Sequence, residues 1–341
     1  MNTMAFTASA VALCTAAGIA AGQSDPASFG TVYNIGTFPP GSVFDVSGAV
    51  TGASVGDGNG VFFESFITPT FLGGDTLGSD SQLNVFDGGE VRFGFSVGLP
   101  DGSVSNAELN VLGGVVALLG DMWNGTLNVF HGTVGSDFRA AFSTINVSGG
   151  TVEPDLNSRL GIHTITGGTI GERLDIDGIN TISGGASGSN SILRGTTTIT
   201  GGSFGDLLRI DGIADISGGT IGGGFSILPD STVNISGGTF GDAYFARASS
   251  VTNLFGTSFF LDGVELTDLV LDEEFVITDR DVTLSGTLAD GSAFEFDLNS
   301  SDIAGEDFFF AGSSVTVTLV PAPGAAGALA IAGLFMARRR R

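Results

Sequence analysis

Apolar residues recur through the middle of the chain at short, regular intervals, with glycine and small polar residues between them. In the series that begins at Ile165 the apolar residues are spaced by 5, 6 and 6 positions, and the series that begins at Ile199 repeats this spacing. The intervening Gly, Ser, Thr, Asp and Asn residues are typical of tight turns. Three apolar positions per repeat therefore predict three short strands around a triangular core.

A Gly-Gly pair follows one strand of each repeat and sets its length. Clear copies carry the pair at 149–150, 167–168, 184–185, 201–202, 218–219 and 237–238, and looser copies precede and follow them. Successive copies lie seventeen to nineteen positions apart over most of this region, which marks a stacked repeat. Glycine in a helix interior costs roughly 1 kcal/mol, whereas Thr, Ile and Val favour strands. We therefore predict an all-β fold in which residues 76–258 form a parallel β-solenoid of about ten coils.

One column of charged residues is compatible with this stacking. Asp177, Arg194 and Asp211 are evenly spaced, one repeat apart, and Asp230 follows in the next coil. Stacked coils would place Arg194 between two carboxylates, each on a neighbouring strand about 4.8 Å away. An exposed ladder of ion pairs is the main interpretation, with a functional ion site as the alternative.

The segments on either side of the repeats have a different composition. Residues 23–75 carry scattered Phe, Val and Ile broken by Gly and Pro, and we predict an irregular β cap over the first coil. Residues 259–319 contain alternating segments typical of half-buried strands, with a hairpin turn at Ala289-Asp290-Gly291. They predict a small antiparallel β module that covers the last coil.

Composition and charge exclude several classes of protein. The 341 residues include 56 Gly without a Gly-X-Y period, which excludes collagen, and the 42% of hydrophobic residues with 28 Phe argues against disorder. All 12 basic residues are arginine, and the net charge is −24. Such a surface repels nucleic acid and anionic lipid, so we expect no nucleic-acid partner.

The N-terminal segment, 1–22, has the composition of a secretory signal peptide. Residues 8–21 are mostly small and apolar, and a small-x-small site places cleavage between Gly22 and Gln23. No basic residue precedes the apolar stretch. Cys14 is the only cysteine and lies inside this segment, so the mature chain would have neither a disulfide nor a thiol nucleophile.

The C-terminal segment, 320–341, has three parts: a proline motif, a small apolar stretch and an arginine cluster. The motif is followed by about 14 apolar residues, fewer than the ~20 that span a bilayer, and the arginines would hold the end on the cytoplasmic side. The residues concerned are Val320, Pro321, Ala322 and Pro323 of the motif and Arg338, Arg339, Arg340 and Arg341 of the cluster.

This tail resembles the PEP-CTERM sorting signal of Gram-negative bacteria. Ala322 departs from that pattern, because the family has glutamate at the corresponding place. The resemblance implies the export machinery and an exosortase-like enzyme as partners, transient insertion into the inner membrane, and delivery to the cell envelope, the outer surface or the extracellular matrix. With the Gly-Gly repeats, it resembles exported β-solenoid proteins of planctomycete-like bacteria. An ordinary C-terminal membrane tail is the alternative.

The residues that could carry chemistry are few. His131 is expected in an exposed turn and His163 on a strand, and no third ligand at metal spacing joins them, so we predict no zinc site. Counting residues does not exclude a Ser-His-Asp set, although no Gly-x-Ser-x-Gly elbow with supporting context is present. The Asp175-Ile176-Asp177-Gly178 segment begins like a calcium loop, but Ile179 stands where a further ligand is needed. We predict no cofactor and no metal, with a specific calcium site as the alternative.

Carbohydrate chemistry is the remaining alternative, because β-solenoids also carry polysaccharide lyases and glycosidases. Those enzymes need carboxylates clustered in a groove, and Asp175, Asp177, Asp211 and Asp215 could align on one side. Asp in a coil is more often a solvated turn residue. Trp123, the only tryptophan, is either a sugar-stacking platform or a buried anchor.

We therefore predict an exported structural or surface-interaction protein without catalytic residues, for which exopolysaccharide is a possible partner. The alternative is a carbohydrate-active or carbohydrate-binding β-helix protein.

Overall fold

The structure is a computed structural model, and it describes residues 28–35, 54–55, 67–69, 75–91, 95–116 and 121–322. Every regular element in these residues is a strand, and the strands form a parallel β-solenoid of about eight coils, slightly fewer than the number predicted. The chain divides into two compact units, residues 1–180 and residues 181–341. The predicted signal-peptide site at Gly22 and Gln23 lies outside the described residues.

The first unit contains fifteen whole strands among its described residues. They are β1 (Thr31–Ile35), β2 (Ser54–Val55), β3 (Ile67–Pro69), β4 (Asp75–Leu77), β5 (Ser81–Val85), β6 (Glu90–Val91), β7 (Ser96–Val97), β8 (Ala107–Val116), β9 (Asp121–Trp123), β10 (Gly125–Val134), β11 (Arg139–Ala141), β12 (Thr144–Val147), β13 (Thr151–Val152), β14 (Asn157–Ile165) and β15 (Thr169–Ile170).

The next strand, β16 (Asp175–Ser187), crosses from the first unit into the second. The other described strands of the second unit are β17 (Ile192–Phe204), β18 (Arg209–Ile221), β19 (Ser226–Ile227), β20 (Thr232–Phe240), β21 (Phe245–Ala246), β22 (Val251–Leu261), β23 (Val264–Glu265), β24 (Glu274–Ile277), β25 (Thr283–Leu288), β26 (Ala293–Asp297), β27 (Phe308–Phe309) and β28 (Ser314–Leu319).

Each coil has three strand segments, as the apolar spacing predicts. In the first unit, β11, β12 and β13 are the first, second and third segments of one coil, and each pairs in parallel with the same segment of the coils before and after it. Longer strands such as β10 and β14 include two of these segments. Every coil thus adds one strand to each of three parallel sheets.

The aliphatic side chains of the first unit form continuous columns inside the coils. One column of the second segments runs through Val85, Val111, Val129, Val147 and Ile165, which are paired in register. All five side chains are at most 5% exposed. Burial of one such side chain contributes about 1.5–3 kcal/mol, so the repeated column is a main source of stability.

The second unit has the same internal arrangement. Its second segments align Ile199, Ile216, Ile235, Leu254 and Val317 in register, and these side chains are at most 1% exposed. Ile199 lies directly over Ile216, as the predicted stacking of repeats requires.

The Gly-Gly pairs are required by backbone geometry. At Gly167 a Cβ atom would lie 2.4 Å from the carbonyl oxygen of Ser148 in the preceding coil, and Gly168 has a φ of +79°. The first glycine therefore allows two backbones to approach closely, and the second supplies a left-handed conformation at no steric cost. The pair recurs because each coil turns at the same place.

The C-terminal part of the second unit combines antiparallel and parallel pairing. β25 pairs antiparallel with β22 and β26, and β24 pairs antiparallel with β28. β27 and β28, however, pair in parallel with β21 and β22. The segment expected to finish the antiparallel module thus also continues the solenoid, because its alternating Val and Thr residues place Val317 beside Leu254 in the core.

Two contacts attach this part to the coils of the second unit. The predicted turn at 289–291 joins β25 and β26, and the Asp290 carboxylate accepts a hydrogen bond of 2.9 Å from the backbone N–H of Gly238. Aromatic rings fill the interior nearby: Tyr244 stacks on Phe309 with ring centroids 5.3 Å apart and lies 4.6 Å from Phe296. The antiparallel strands therefore share their core with the last coils.

Candidate functional site

The outer face of the first segments in the first unit presents an unusual set of side chains. β9, β11 and β14 place six outward positions in two columns of three. One column is Asp121, Arg139 and Asn157, and the other is Trp123, Ala141 and Arg159. We call these six residues the Trp123 face.

Strand alternation settles the orientation of Trp123. Met122 is fully buried and points inward, whereas Asp121 and Trp123 on either side of it are partly exposed. Of the two interpretations from the sequence, the buried anchor is therefore not supported, because the tryptophan belongs to the outer surface of the coil. The alternation of Asp, Met and Trp in the sequence could have predicted this orientation, because a strand sends successive side chains to opposite faces.

The polar members of the Trp123 face interact with neighbouring charges. Arg159 donates a hydrogen bond of 2.9 Å to the Asp175 carboxylate and keeps 42% of its side chain exposed. Burial raises the pKa of Asp121 above its ordinary value, and the positive charge of Arg139 in the adjacent strand opposes that rise. The face therefore offers carboxylate, guanidinium and amide groups within three successive coils.

A strained corner borders this face. Asn106, Asn124, Phe142 and Leu160 occupy the same corner in successive coils, and all four have φ near +55°. Asn tolerates this left-handed conformation, whereas a bulky side chain does not. Phe142 is nevertheless 57% exposed and Leu160 60% exposed, so burial of these side chains offsets little of the strain.

Three side chains have the relative arrangement of a hydrolytic triad, but they lie inside the core. His163 occupies the column position held by Ile145 in the preceding coil. Its Nδ1 atom lies 2.7 Å from Oδ1 of Asn180, and its Nε2 atom lies 2.7 Å from Oγ of Ser158. Because the Asn180 oxygen only accepts, Nδ1–H donates to it, and the Ser158 hydroxyl donates to Nε2 of the neutral ring.

The lack of solvent access distinguishes these three side chains from a catalytic site. Ser158, His163 and Asn180 are 0%, 1% and 1% exposed, so no substrate carbonyl can reach the serine oxygen. Burial lowers the pKa of His163, although the hydrogen bond to Asn180 and the negative charge of Asp177 oppose this shift. Neutral His163 therefore satisfies two buried polar groups in the core.

Asparagine ladders run along the second segments on the side away from the aliphatic columns. In the first unit Asn110, Asn128 and Asn146 each donate a hydrogen bond of 2.8 Å to the asparagine of the preceding coil, beginning at Asn84. Asn84, Asn110 and Asn128 are fully buried. In the second unit Asp215, Asn234, Asn253 and Thr316 form a similar ladder that is more exposed.

The structure confirms one pair of the charged column predicted from the sequence. Arg194 and Asp211 are paired in register in the second unit and form an ion pair. Asp230 is not part of this ladder, because it lies at a corner with φ +61°. Ile227 pairs with Ile210, and Leu228 holds the next position of that strand instead. This coil is longer than the one before it, and the added residues at the corner displace Asp230.

The remaining predicted residues have separate positions. His131 is exposed, as expected, but it lies within β10 at an irregularity of the pairing and not in a turn. Asp175 and Asp177 are partly exposed on β16. Within the described residues no group of three or more His, Cys, Asp or Glu side chains is arranged to hold a metal ion. The described part of the chain also contains no helix of the length and apolarity needed to cross a bilayer.

The predicted sorting motif begins where the last strand ends. The backbone N–H of Val320 donates to the carbonyl of Gly256 at 2.8 Å, and Pro321 and Ala322 are exposed. Pro323 and the cluster Arg338, Arg339, Arg340 and Arg341 lie outside the described residues.

Comparison of the chain with protein-family models, with curated proteins and with solved structures found no match in any of the three.

Proposed function

We propose that this protein is an exported, non-catalytic β-solenoid that serves as a structural or surface-interaction component of the cell envelope or extracellular matrix. The observation that carries the proposal is the burial of Ser158, His163 and Asn180. The arrangement nearest to a catalytic set is thereby assigned to the core, and the outer positions of the coils carry Asn, Thr, Asp and Arg in repeated columns.

The hydrogen-bonded ladders support a mechanical role. Each asparagine in the ladder of the first unit links its coil to the one before it, in addition to the backbone pairing. A fully satisfied buried network rigidifies the structure around it. A stiff repeat with an acidic surface suits a component that holds its form in a hydrated matrix.

The tail supports the sorting part of the proposal. Because the chain leaves its last strand at Val320 and is exposed at Pro321 and Ala322, a processing enzyme can approach the start of the motif. The proposed partners are the export machinery and an exosortase-like enzyme, with transient membrane insertion through the apolar stretch.

Mass spectrometry of both ends of the protein recovered from the cells that produce it tests export and sorting together. We expect a chain that begins at Gln23 and has lost the arginine cluster. A recovered chain with both ends intact would contradict the proposed export and sorting.

A depolymerisation assay on purified protein tests the absence of catalysis. We expect no release of reducing sugar or unsaturated product from neutral or acidic polysaccharides. Turnover that is abolished by Asp177→Ala or Asp211→Ala would instead establish a carbohydrate-active enzyme.

A carbohydrate-binding role is the second candidate, and the outward position of Trp123 favours it. Trp123 is partly open to solvent and shares its face of the coils with Asp121, Arg139 and Arg159. This combination of a flat apolar surface and polar groups is suited to sugar rings.

A further inference from the structure

We infer that the Trp123 face, together with the exposed ring of Phe142, is a binding site for a linear neutral polysaccharide. The inference rests on the proposed surface-interaction function and names its partner class. The site lies wholly within the first unit and uses the outer positions of three consecutive coils.

The first support is the position of the two aromatic residues. Trp123 pairs with Ala141, and Phe142 is the next residue along that neighbouring strand. Adjacent strands are about 4.8 Å apart and successive residues about 3.3 Å, so the two backbone positions are separated by about 6 Å. The backbone positions of two aromatic residues, Trp123 partly exposed and Phe142 exposed, are therefore neighbours on the surface.

The second support is that the fold itself gives no reason for phenylalanine at position 142. The same corner in the two preceding coils is occupied by Asn106 and Asn124, which suit the left-handed backbone. Phe142 adopts this conformation with most of its side chain in solvent. Strain at an exposed position that packing does not require points to a functional role for the ring.

The third support is the gap between the long side chains of the face and the hydrogen-bonding groups beside it. Ala141 lies between Trp123 and Arg159 in one column, so a methyl group separates two long side chains and leaves a notch about 9.6 Å across between their strands. Asp121 accepts hydrogen bonds, Arg139 and Arg159 donate them, and Asn157 does both. Sugar hydroxyl groups are both donors and acceptors and match this mixture.

Charge selects a neutral polymer over an acidic one. The chain carries a net charge of −24, and Arg159 is already paired with Asp175. A polyuronate or a sulfated glycan would therefore meet a repulsive field and find few free cations. A neutral chain avoids this repulsion and can still stack on Trp123 and Phe142.

Affinity electrophoresis of the full-length protein tests the inference, with hydroxyethylcellulose, galactomannan or dextran in the gel and polygalacturonate as the acidic comparison. We expect retardation by at least one neutral polymer and none by polygalacturonate. Trp123→Ala and Phe142→Asn should each weaken retardation at least tenfold. Phe142→Asn restores the asparagine found at this corner in other coils, so loss of folding does not explain a loss of binding.

Phe310→Asn is the matched control, because Phe310 is 42% exposed and lies in the other unit. It should leave retardation unchanged. Absence of retardation by all three neutral polymers, or retardation that neither variant of the face alters, would overturn the inference. So would a change of oligomeric state in Phe142→Asn, measured by sedimentation, with unaltered retardation, because the face would then join two copies of the chain. None of these outcomes bears on the proposed export or on the proposed lack of turnover. Mass spectrometry tests the first, and the depolymerisation assay tests the second.

Discussion

The Nδ1 atom of His163 lies 2.7 Å from Oδ1 of Asn180 inside the solenoid core. This bond, with the one from Ser158, allows an imidazole ring to replace an aliphatic side chain in a column that otherwise holds Leu109, Leu127 and Ile145. A buried neutral histidine is compatible with folding only while the ring stays uncharged. The stability of this arrangement therefore depends on pH.

Acidification should destabilise the protein through His163. Its pKa in the folded state is lowered by burial from an ordinary value of 6.5, so the unfolded chain binds more protons. The stability that the neutral ring contributes is therefore present above pH 6.5 and is lost as the pH falls from there towards the folded pKa, by up to about 1.4 kcal/mol per pH unit. Urea unfolding at pH 8 and pH 5.5 measures the loss.

The variant His163→Leu separates the contribution of His163 to the pH dependence of stability from that of the carboxylates. It removes the titrating ring, so its stability should change less between the two pH values. It is less stable at pH 8, because Ser158 and Asn180 lose their hydrogen bonds to the ring. Burial raises the pKa of Asp121 and of Asp307, and raised carboxyl pKa values stabilise the fold as the pH falls. An equal pH dependence in the wild type and the variant would exclude His163 as the cause.

Gly161→Ala should destabilise the first unit by about 1–3 kcal/mol through overpacking. A Cβ atom there would lie 2.6 Å from the carbonyl oxygen of Ser143 and 2.8 Å from Nε2 of His163. The ring of His163 therefore has room in the core because residue 161 has no side chain. Gly78→Ala is the control, since no atom lies within 4 Å of its added Cβ, and denaturant midpoints of the two variants should differ clearly.

Leu160→Asn should stabilise the protein by about 1 kcal/mol, because asparagine adopts the left-handed backbone that leucine holds with strain. The leucine side chain is 60% exposed, so little burial is lost. Thermal unfolding measures the gain. Ile162→Thr changes a neighbouring residue that is 51% exposed but has no positive φ, and it should leave the midpoint nearly unchanged. A lower midpoint for Leu160→Asn would show that the leucine has a packing role.

Asn128→Ala should cost about 1–3 kcal/mol, because it leaves the buried Oδ1 of Asn110 without its donor and removes the acceptor of Asn146. Asn234→Ala removes the equivalent residue of the ladder in the second unit, where the side chains are more exposed and water can replace the lost partners. The ratio of the two costs, from urea unfolding, tests whether burial gives the first ladder its strength. Equal costs would contradict that explanation.

Much of the fold could be predicted from the spacing of residues, but little of the candidate site. The regular apolar spacing identifies three segments per coil, and the Gly-Gly pairs identify where the backbone turns. The spacing does not say which polar residues point inward. At Leu160 the left-handed backbone interrupts strand alternation, so that Ser158 and His163, which an unbroken strand would send to opposite faces, both face the core.

The sequence by itself determined the all-β class, the stacking of short coils and the aliphatic columns, because periodic burial of apolar side chains is a property of the chain's own pattern. Only the tertiary structure decided that His163 belongs to the core and that β28 continues the solenoid in parallel. The reason is physical: inward or outward orientation depends on the conformation of each corner and on the partner strand available. Both are set by the packed neighbours of a residue and not by its place in the repeat.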